Sequence, residues 1–397
     1  MSTHTVTEPG PAAHPLRIAM IGSRGVPARN GGIETVVEGL GAALTERGHD
    51  VTVYCRRQQG PPWPEEYLGM RLRYRWAPAS GGLAAFVHAF VCTLDAIPRR
   101  FDVIHSHAVG PGLMSVLARL VTRATVVTTV HGRDDRRAKW GRGAQLVLRA
   151  GVWVSARVPH ATIVVSQELA DDYLETYGRR TVVVPNAVEP PHPVPPGPTL
   201  AMLGVQPGRY ALSVGRLVPE KAVHVLVDAY AATTTDLPLL IVGEPSGTDS
   251  YVAEIQDRVR DPRIRFVGPH YGAAFEELIT SARLFVTASE LEGLPTALIE
   301  AGLYRIPIVA TDIGPHREVI DGGPSEVWWS AVGDVDGLRA SIEKALQTPP
   351  DEAVLAAVRD RLLDRHSPAG SALRHERVYA RRGVGAGQVT AALPDGS

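Results

Sequence analysis

A chain of 397 residues is long enough to build two domains with separate cores. Its 41 lysines and arginines balance 42 acids to a net charge of −1, which argues against nucleic acid as a partner. The two cysteines, Cys55 and Cys92, sit in or beside apolar runs and supply neither a disulfide framework nor a zinc site; they read as buried reduced thiols of a cytoplasmic protein.

Residues 1–14 carry no basic segment leading into an apolar one, so they read as a disordered leader and not as a secretory signal. Leu16 to Ile21 reads as a first strand. It runs into a glycine-rich loop from Gly22 to Gly32 before a helix, an arrangement that lets backbone approach a ligand closely. Gly22 and Gly25 lack the G-x-G-x-x-G spacing, which argues against a nicotinamide dinucleotide site. Val51 to Cys55 is a second strand. The apolar run Leu83 to Ile97 is too short to span a membrane and carries His88 and Asp95; a buried helix is expected. Val103 to His107 and Val126 to Val130 are further strands, with His105 and His107 at one tip and His131 just past the other. Strands alternating with helices predict a parallel sheet, whose ligands gather at the C-terminal strand ends. Arg136, Arg137, Lys139 and Arg142, with Trp140 among them, form the densest basic stretch and lead into an amphipathic helix, Gln145 to Ser155. Such a stretch suits a membrane surface or a phosphate-bearing acceptor. Two more apolar segments, Ile163 to Ser166 and Thr181 to Asn186, close a first domain of residues 15–188.

A proline-rich linker, 189–204, precedes a second domain, 205–365. Its first strand, Tyr210 to Val214, is followed by Arg216 and Lys221, a forked donor and a mobile point charge. A strand at Leu239 to Gly243 comes next, and after a further helix the segment Ile264 to Tyr271, with His270 near its end. The stretch Leu284 to Gly302 opens as a short apolar strand, turns through Glu290 and Glu292, and becomes a helix from Thr296 to Leu303 with Pro295 as its expected first residue. The free N–H groups of Thr296 and Ala297, with the helix dipole, make an anion site flanked by the carboxylates of Glu292 and Glu300. Acids beside a phosphate site call for hydroxyls, which a sugar nucleotide offers on its ribose and its sugar. Asp334 and Asp336 have the D-x-D spacing of a metal site, but helix capping suffices to explain an aspartate there, and no metal is expected. Residues 366–382 are expected to form a last helix packing back on the first domain, and 383–397 a disordered tail.

Glu292, seven residues, then Glu300, framed by Ser289 to Pro295 and Pro307 to Gly314, resembles the signature of family 4 retaining glycosyltransferases. That resemblance implies an α/β chain of GT-B fold, two Rossmann-like domains facing a cleft, acting as a hexosyltransferase on a nucleotide-diphosphate sugar. Gly31-Gly32-Ile33-Glu34 resembles the family's first loop, and the run Gly22 to Ala28 is similar to that of bacterial polysaccharide rhamnosyltransferases. Gly215 to Ala222 resembles its phosphate loop, with Ala222 where the family has glycine, and Ala187 likewise replaces a glycine after Pro185-Asn186. By the same resemblance His131 touches the donor sugar, Glu292 and the Gly293-Leu294 backbone hold it, Glu300 binds the ribose, and the turn at His270 binds the base.

The sequence thus predicts a metal-independent retaining transferase without a cofactor, moving sugar to a glycan or polyprenyl-diphosphate-linked acceptor. Polysaccharide biosynthesis at the inner face of the membrane is the expected setting, with peripheral contact through the basic stretch. A hydrolase or epimerase on the same fold, and a non-catalytic glycan-assembly protein, are the other two readings.

Overall fold

The computed structural model describes residues 14–28, 32–57, 64–78, 84–133, 135, 142–246, 248–320 and 326–380. In the first half, strands β1 (Arg17–Ile21), β2 (Asp50–Arg56), β3 (Glu66–Tyr67), β4 (Met70–Arg75), β5 (Val103–His107), β6 (Thr125–Val130), β7 (Ala161–Val164) and β8 (Val182–Val183) form one sheet. Helices α1 (Gly32–Glu46), α2 (Ala84–Ala96), α3 (Val109–Gly112), α4 (Ser115–Val121), α5 (Arg142–Arg157) and α6 (Gln167–Tyr177) cover it. The strand order is β3-β4-β2-β1-β5-β6-β7-β8, parallel throughout except for β3 against β4. Continuous apolar strands such as Ile18 to Ile21 are buried on both faces, as a helix-covered parallel sheet requires.

The second half follows α7 (Pro198–Leu203). Its strands are β9 (Ala211–Val214), β10 (Leu239–Val242), β11 (Ile264–Gly268), β12 (Leu284–Thr287), β13 (Ile308–Thr311) and β14 (Val327–Ser330). They pair in parallel in the order β11-β10-β9-β12-β13-β14. The accompanying helices are α8 (Val223–Ala231), α9 (Asp249–Arg258), α10 (Gly272–Thr280), α11 (Thr296–Leu303), α12 (Gly314–Val319), α13 (Val335–Gln347), α14 (Glu352–His366) and α15 (Pro368–Tyr379). Chain order reverses between β1 and β5 in the first sheet and between β9 and β12 in the second. Crevices at the C-terminal strand ends open at those two points.

Some elements differ from expectation, while the thiols and the Asp334 cap follow it. The end of the proline-rich stretch is helical: Glu277 accepts from the N–H groups of Gly197, Thr199 and Leu200 at 2.8, 3.1 and 2.8 Å, capping α7 from α10. Helix α2 is not fully buried; His88 and Cys92 face the core while Phe90 and Leu94 stand outward. Pro295 is the N-cap residue of α11 and not its first helical residue, because its ψ of 87° lies outside the helical region. Cys55 and Cys92 are both buried free thiols. Asp334 caps α13, accepting from Gly337 N–H at 2.9 Å. Residues 1–13 and 381–397 lie outside the described residues, and with them the expected leader and tail.

The C-terminal helices cross between the halves. His366 donates through Nδ1 to the Asn186 carbonyl at 2.9 Å, and Val188 N–H donates to the His366 carbonyl at the same distance. Helix α15 lies on α1, where Glu376 accepts from Arg47 Nε at 2.6 Å and lies 2.8 Å from His49 Nε2. Glu318 of α12 accepts from Gln167 N–H at the start of α6, a tie directly across the cleft.

Candidate active site

The wall from the first sheet begins with the loop after β1. Arg24 N–H donates to Glu34 Oε1 at 2.9 Å and Ala28 N–H to Glu38 Oε2 at 2.5 Å, so two carboxylates of α1 fasten the loop to their own helix. Burial pushes the Glu34 carboxyl up in pKa, and the hydrogen bond from Arg24 N–H works against it. Gly32 opens α1; a Cβ placed there would lie 3.9 Å from Thr296 Oγ1, so the N-terminus of α1 faces that of α11. Gly31 lies outside the described residues.

His131 follows β6. Its Nε2 is 3.3 Å from Nδ1 of the fully buried His107, and the two rings stack with centroids 5.5 Å apart. His105 sits one layer deeper, between Tyr379 Oη at 2.9 Å and Thr129 Oγ1 at 2.7 Å. Burial drives the His105 and His107 imidazoles well below their usual pKa, and neighbouring imidazoles push the same way, so both are neutral near pH 7. The loop carrying His131 is pinned by Arg133, which grips Asp135 with two nitrogens, at 2.9 and 3.0 Å, and pairs with Asp172 of α6. Arg136, Arg137, Lys139 and Trp140 lie outside the described residues, as does the side chain of Arg142.

The wall from the second sheet carries ions. Lys221 follows β9 and Glu292 follows β12, the two strands at the crevice, and their side chains meet at 2.5 Å. Lys221 is therefore an anchored charge and not the mobile one expected from its flexible stem. Its stem lies over Gly215, and with Arg216, Ser213 and Thr287 it lines a small hollow at the ends of β9 and β12. Burial pushes the Glu292 carboxyl up, but Lys221 and His316, with hydrogen bonds from Lys221 and Ser289, outweigh it, and the pKa ends below the usual value. Ala222, where glycine was expected, is buried at φ 45°, in the left-handed region that costs an L-residue energy. The backbone there keeps the glycine-like conformation without the glycine.

Helix α11 starts at Thr296, one residue after the expected first helical position. The first bonds to the Pro295 carbonyl come from Leu298 and Ile299, so the N–H groups of Thr296 and Ala297 precede the ladder and face the cleft end of the helix. Leu298 and Ile299 are buried beneath it, each contributing about 1.5–3 kcal/mol to holding the helix in place. Leu294 is buried, and at Gly293 a Cβ would overlap the carbonyl oxygen of His131 from the opposite wall. Only glycine allows that approach, and through it the Glu292 turn and the His131 loop touch. Glu300 lies on α11 in surroundings that raise its carboxyl to about 7 by burial alone. His270 is farther off, at the end of β11, its Nδ1 3.3 Å from the Gly268 carbonyl.

His316 was not anticipated. It is fully buried at the start of α12, donates through Nδ1 to the Thr311 carbonyl at 2.7 Å, and leaves Nε2 buried without a protein partner. Its electrostatic influence reaches both Glu292 and Lys221. The signal available was topological: β13 neighbours β12, so the segment after β13 must border the Glu292 turn.

Two family models divide the chain between them. Residues 30–191 match the model described as Glycosyltransferase Family 4, and residues 205–357 the one described as Glycosyl transferases group 1. The chain is a family 4 glycosyltransferase of GT-B fold. This glycosyltransferase is 27% identical over 397 residues to alpha-maltose-1-phosphate synthase of Mycolicibacterium smegmatis, covering 92% of this chain and 99% of the relative. It is 28% identical over 337 residues to D-inositol 3-phosphate glycosyltransferase of Geodermatophilus obscurus, covering 75% and 74%. Among solved structures, sucrose-phosphate synthase from Thermosynechococcus elongatus superposes with a TM-score of 0.74 at 21% identity, covering 91% of this chain and 98% of that one. The Anabaena protein HepE in complex with UDP and glucose gives 0.73 at 17%, covering 92% and 100%. Both share the fold.

Proposed function

We propose that this transferase moves a sugar from a nucleotide-diphosphate donor to a glycan or lipid-linked acceptor, with retention of anomeric configuration and without a metal. The observation that carries the reading is the Lys221–Glu292 pair at the strand crevice, whose turn touches the His131 loop through Gly293, with the N-termini of α1 and α11 close to one another across the cleft. HepE's complexes with UDP, and with UDP and glucose, support a nucleotide-sugar donor in this fold.

Cleaving the anomeric bond leaves a diphosphate of growing negative charge. Arg216, Lys221 and the N–H groups of Thr296 and Ala297 stabilise it, a fixed electrostatic environment in a site shielded from water. Glu292, kept ionised by Lys221, accepts from a sugar hydroxyl and orients the ring, with the Gly293-Leu294 backbone and His131 on either side. Glu300 accepts from the ribose hydroxyls, and the turn at His270 meets the base. No side chain serves as nucleophile: the acceptor hydroxyl attacks from the face the phosphate leaves, and the leaving phosphate oxygen takes its proton. The basic stretch from Arg136 to Arg142 would meet acceptor phosphate at the inner membrane face, as in assembly of a polyprenyl-diphosphate-linked glycan.

Incubation with radiolabelled nucleotide sugars and an acceptor extract tests this. Label moving into a larger product is expected. Free sugar alone would favour a hydrolase, and unchanged donor a binding protein.

A further inference from the structure

Helices α4 and α5 lie side by side on the outer layer of the first domain. Arg119 of α4 donates through Nε to the Val158 carbonyl just past α5, and its Nη1 lies 2.7 Å from His160 Nε2. The outward stripe of α5 runs Leu146, Arg149, Ala150, Trp153, Arg157, spaced as one helical face. That of α4 runs Val116, Arg119 and Leu120, with the exposed Arg123 just past its end. Large apolar side chains on these stripes stand in water: Leu120 is 79% exposed, Leu146 70% and Trp153 54%. An apolar surface of this kind interleaved with cations calls for an explanation beyond scattered surface hydrophobics. From Ser115 to Arg133 and from Arg142 to His160 the sequence contains no aspartate or glutamate.

We propose that the outward faces of α4 and α5 dock on an anionic lipid bilayer. Charge decides the occupant. A second copy meeting this face about a two-fold axis would set arginines against arginines. A bilayer carrying acidic headgroups takes the guanidinium groups at the phosphate level while Leu120, Leu146 and Trp153 enter the interface, where indoles are favoured. No helix among the described residues is long and apolar enough to cross a membrane, so the contact is peripheral. Helix α5 is the next helix after His131 in the chain, on the domain that carries one wall of the cleft. The inference deepens the lipid-linked acceptor reading and rests on it for its purpose, though not for its test.

The test is flotation of the full chain, without donor or acceptor, with vesicles of phosphatidylcholine alone or mixed with phosphatidylglycerol, from low to high salt. Wild type is expected to float with the mixed vesicles and to be released by salt. Arg149→Gln with Arg157→Gln should weaken binding about 25-fold, roughly fivefold per arginine. Leu120→Asn with Trp153→Gln should abolish it, with an unchanged circular dichroism spectrum. Arg209→Gln with Arg258→Gln removes the same charge from the second half, where both arginines are ion-paired on the surface, and should change nothing. No flotation, equal binding to phosphatidylcholine alone, or equal binding of all variants would overturn the proposal. So would sedimentation showing a dimer that the Leu120–Trp153 variant converts to monomer, which assigns the face to a second copy. Sugar transfer to a water-soluble acceptor, measured separately, reports on the active site whichever way flotation falls.

Discussion

On the first-domain wall of the cleft three imidazoles, His105, His107 and His131, run from the core outward with the inner two held neutral by burial, while its carboxylates serve to fasten loops. The facing wall is led by ions, Lys221 locked to Glu292 with Arg216 beside them, and by Glu300 on α11, whose carboxyl burial raises to about 7. The contrast assigns different work to the two walls. A wall of ions suits a diphosphate and its hydroxyls, and a row of imidazoles suits sugar hydroxyls. It also teaches why one wall is rigid by charge pairing and the other by packing and by the Arg133 clamp.

If the ionic wall bears the developing charge, its loss should produce the largest effects. Arg216→Ala and Lys221→Ala are each expected to lower kcat by about 10²–10³-fold, roughly 3–4 kcal/mol, in a folded protein. Lys221→Ala also strands Glu292, so adding Glu292→Gln should recover thermal stability but not turnover. Steady-state kinetics with melting curves measure both; near-normal kcat in either single variant would remove that side chain from the charge-bearing role.

The next effect separates the two acids. Glu292→Gln should impair kcat more than nucleotide affinity, and Glu300→Gln the reverse. Glu300 also has a folded pKa, about 7, above its ordinary 4.5. The folded state therefore holds the proton more tightly, and stability is fully present below about pH 4.5 and lost as pH rises through 7. The loss should be about 2 kcal/mol after allowance for partial exposure. Urea unfolding across this range should show the decline in wild type and not in Glu300→Gln.

A smaller effect tests the contact between the walls. Gly293→Ala must push the Glu292 turn off the His131 carbonyl, at a cost of about 1–2 kcal/mol. An approximately tenfold fall in kcat/KM with unchanged affinity for free nucleoside diphosphate is expected; calorimetry and kinetics together check it. Smallest is Ala222→Gly, which relieves a left-handed alanine and should raise stability by about 1 kcal/mol. A lowered denaturation midpoint would mean the position has another constraint.

Legibility in the sequence followed the same division. Apolar runs between turn residues announced the parallel strands, and the helix ending at Leu303 was read to within one residue of its start, Pro295 being its N-cap and not its first helical residue. Arg216 and Lys221 follow a strand, Glu292 lies in the turn after another and Glu300 on the helix beyond it, and these four stood out chiefly because the segments around them resemble the family's phosphate loop and its paired-glutamate signature. The histidine stack did not stand out: the His107–His131 contact joins residues 24 apart in sequence, and spacing carries no trace of it. His316 stayed hidden because its partners, Thr311 apart, lie on other strands. The Lys221–Glu292 bond spans 71 residues, so the two were assigned separate tasks before their pairing was visible. Helix α7 was concealed by the prolines around it, since its cap comes from Glu277 in α10.

The central claim, that the ionic wall is a nucleotide-sugar site, is tested most directly by thermal shift with a panel of nucleotide sugars. Wild type and an Arg216→Ala, Lys221→Ala double variant should be compared side by side. At a hundredfold excess over Kd a ligand that binds only the folded state adds about 2.7 kcal/mol, a rise of a few degrees in Tm. The account predicts such a rise in wild type with at least one nucleotide sugar and its loss in the double variant. No rise with any member of the panel, or an equal rise in both proteins, would contradict it.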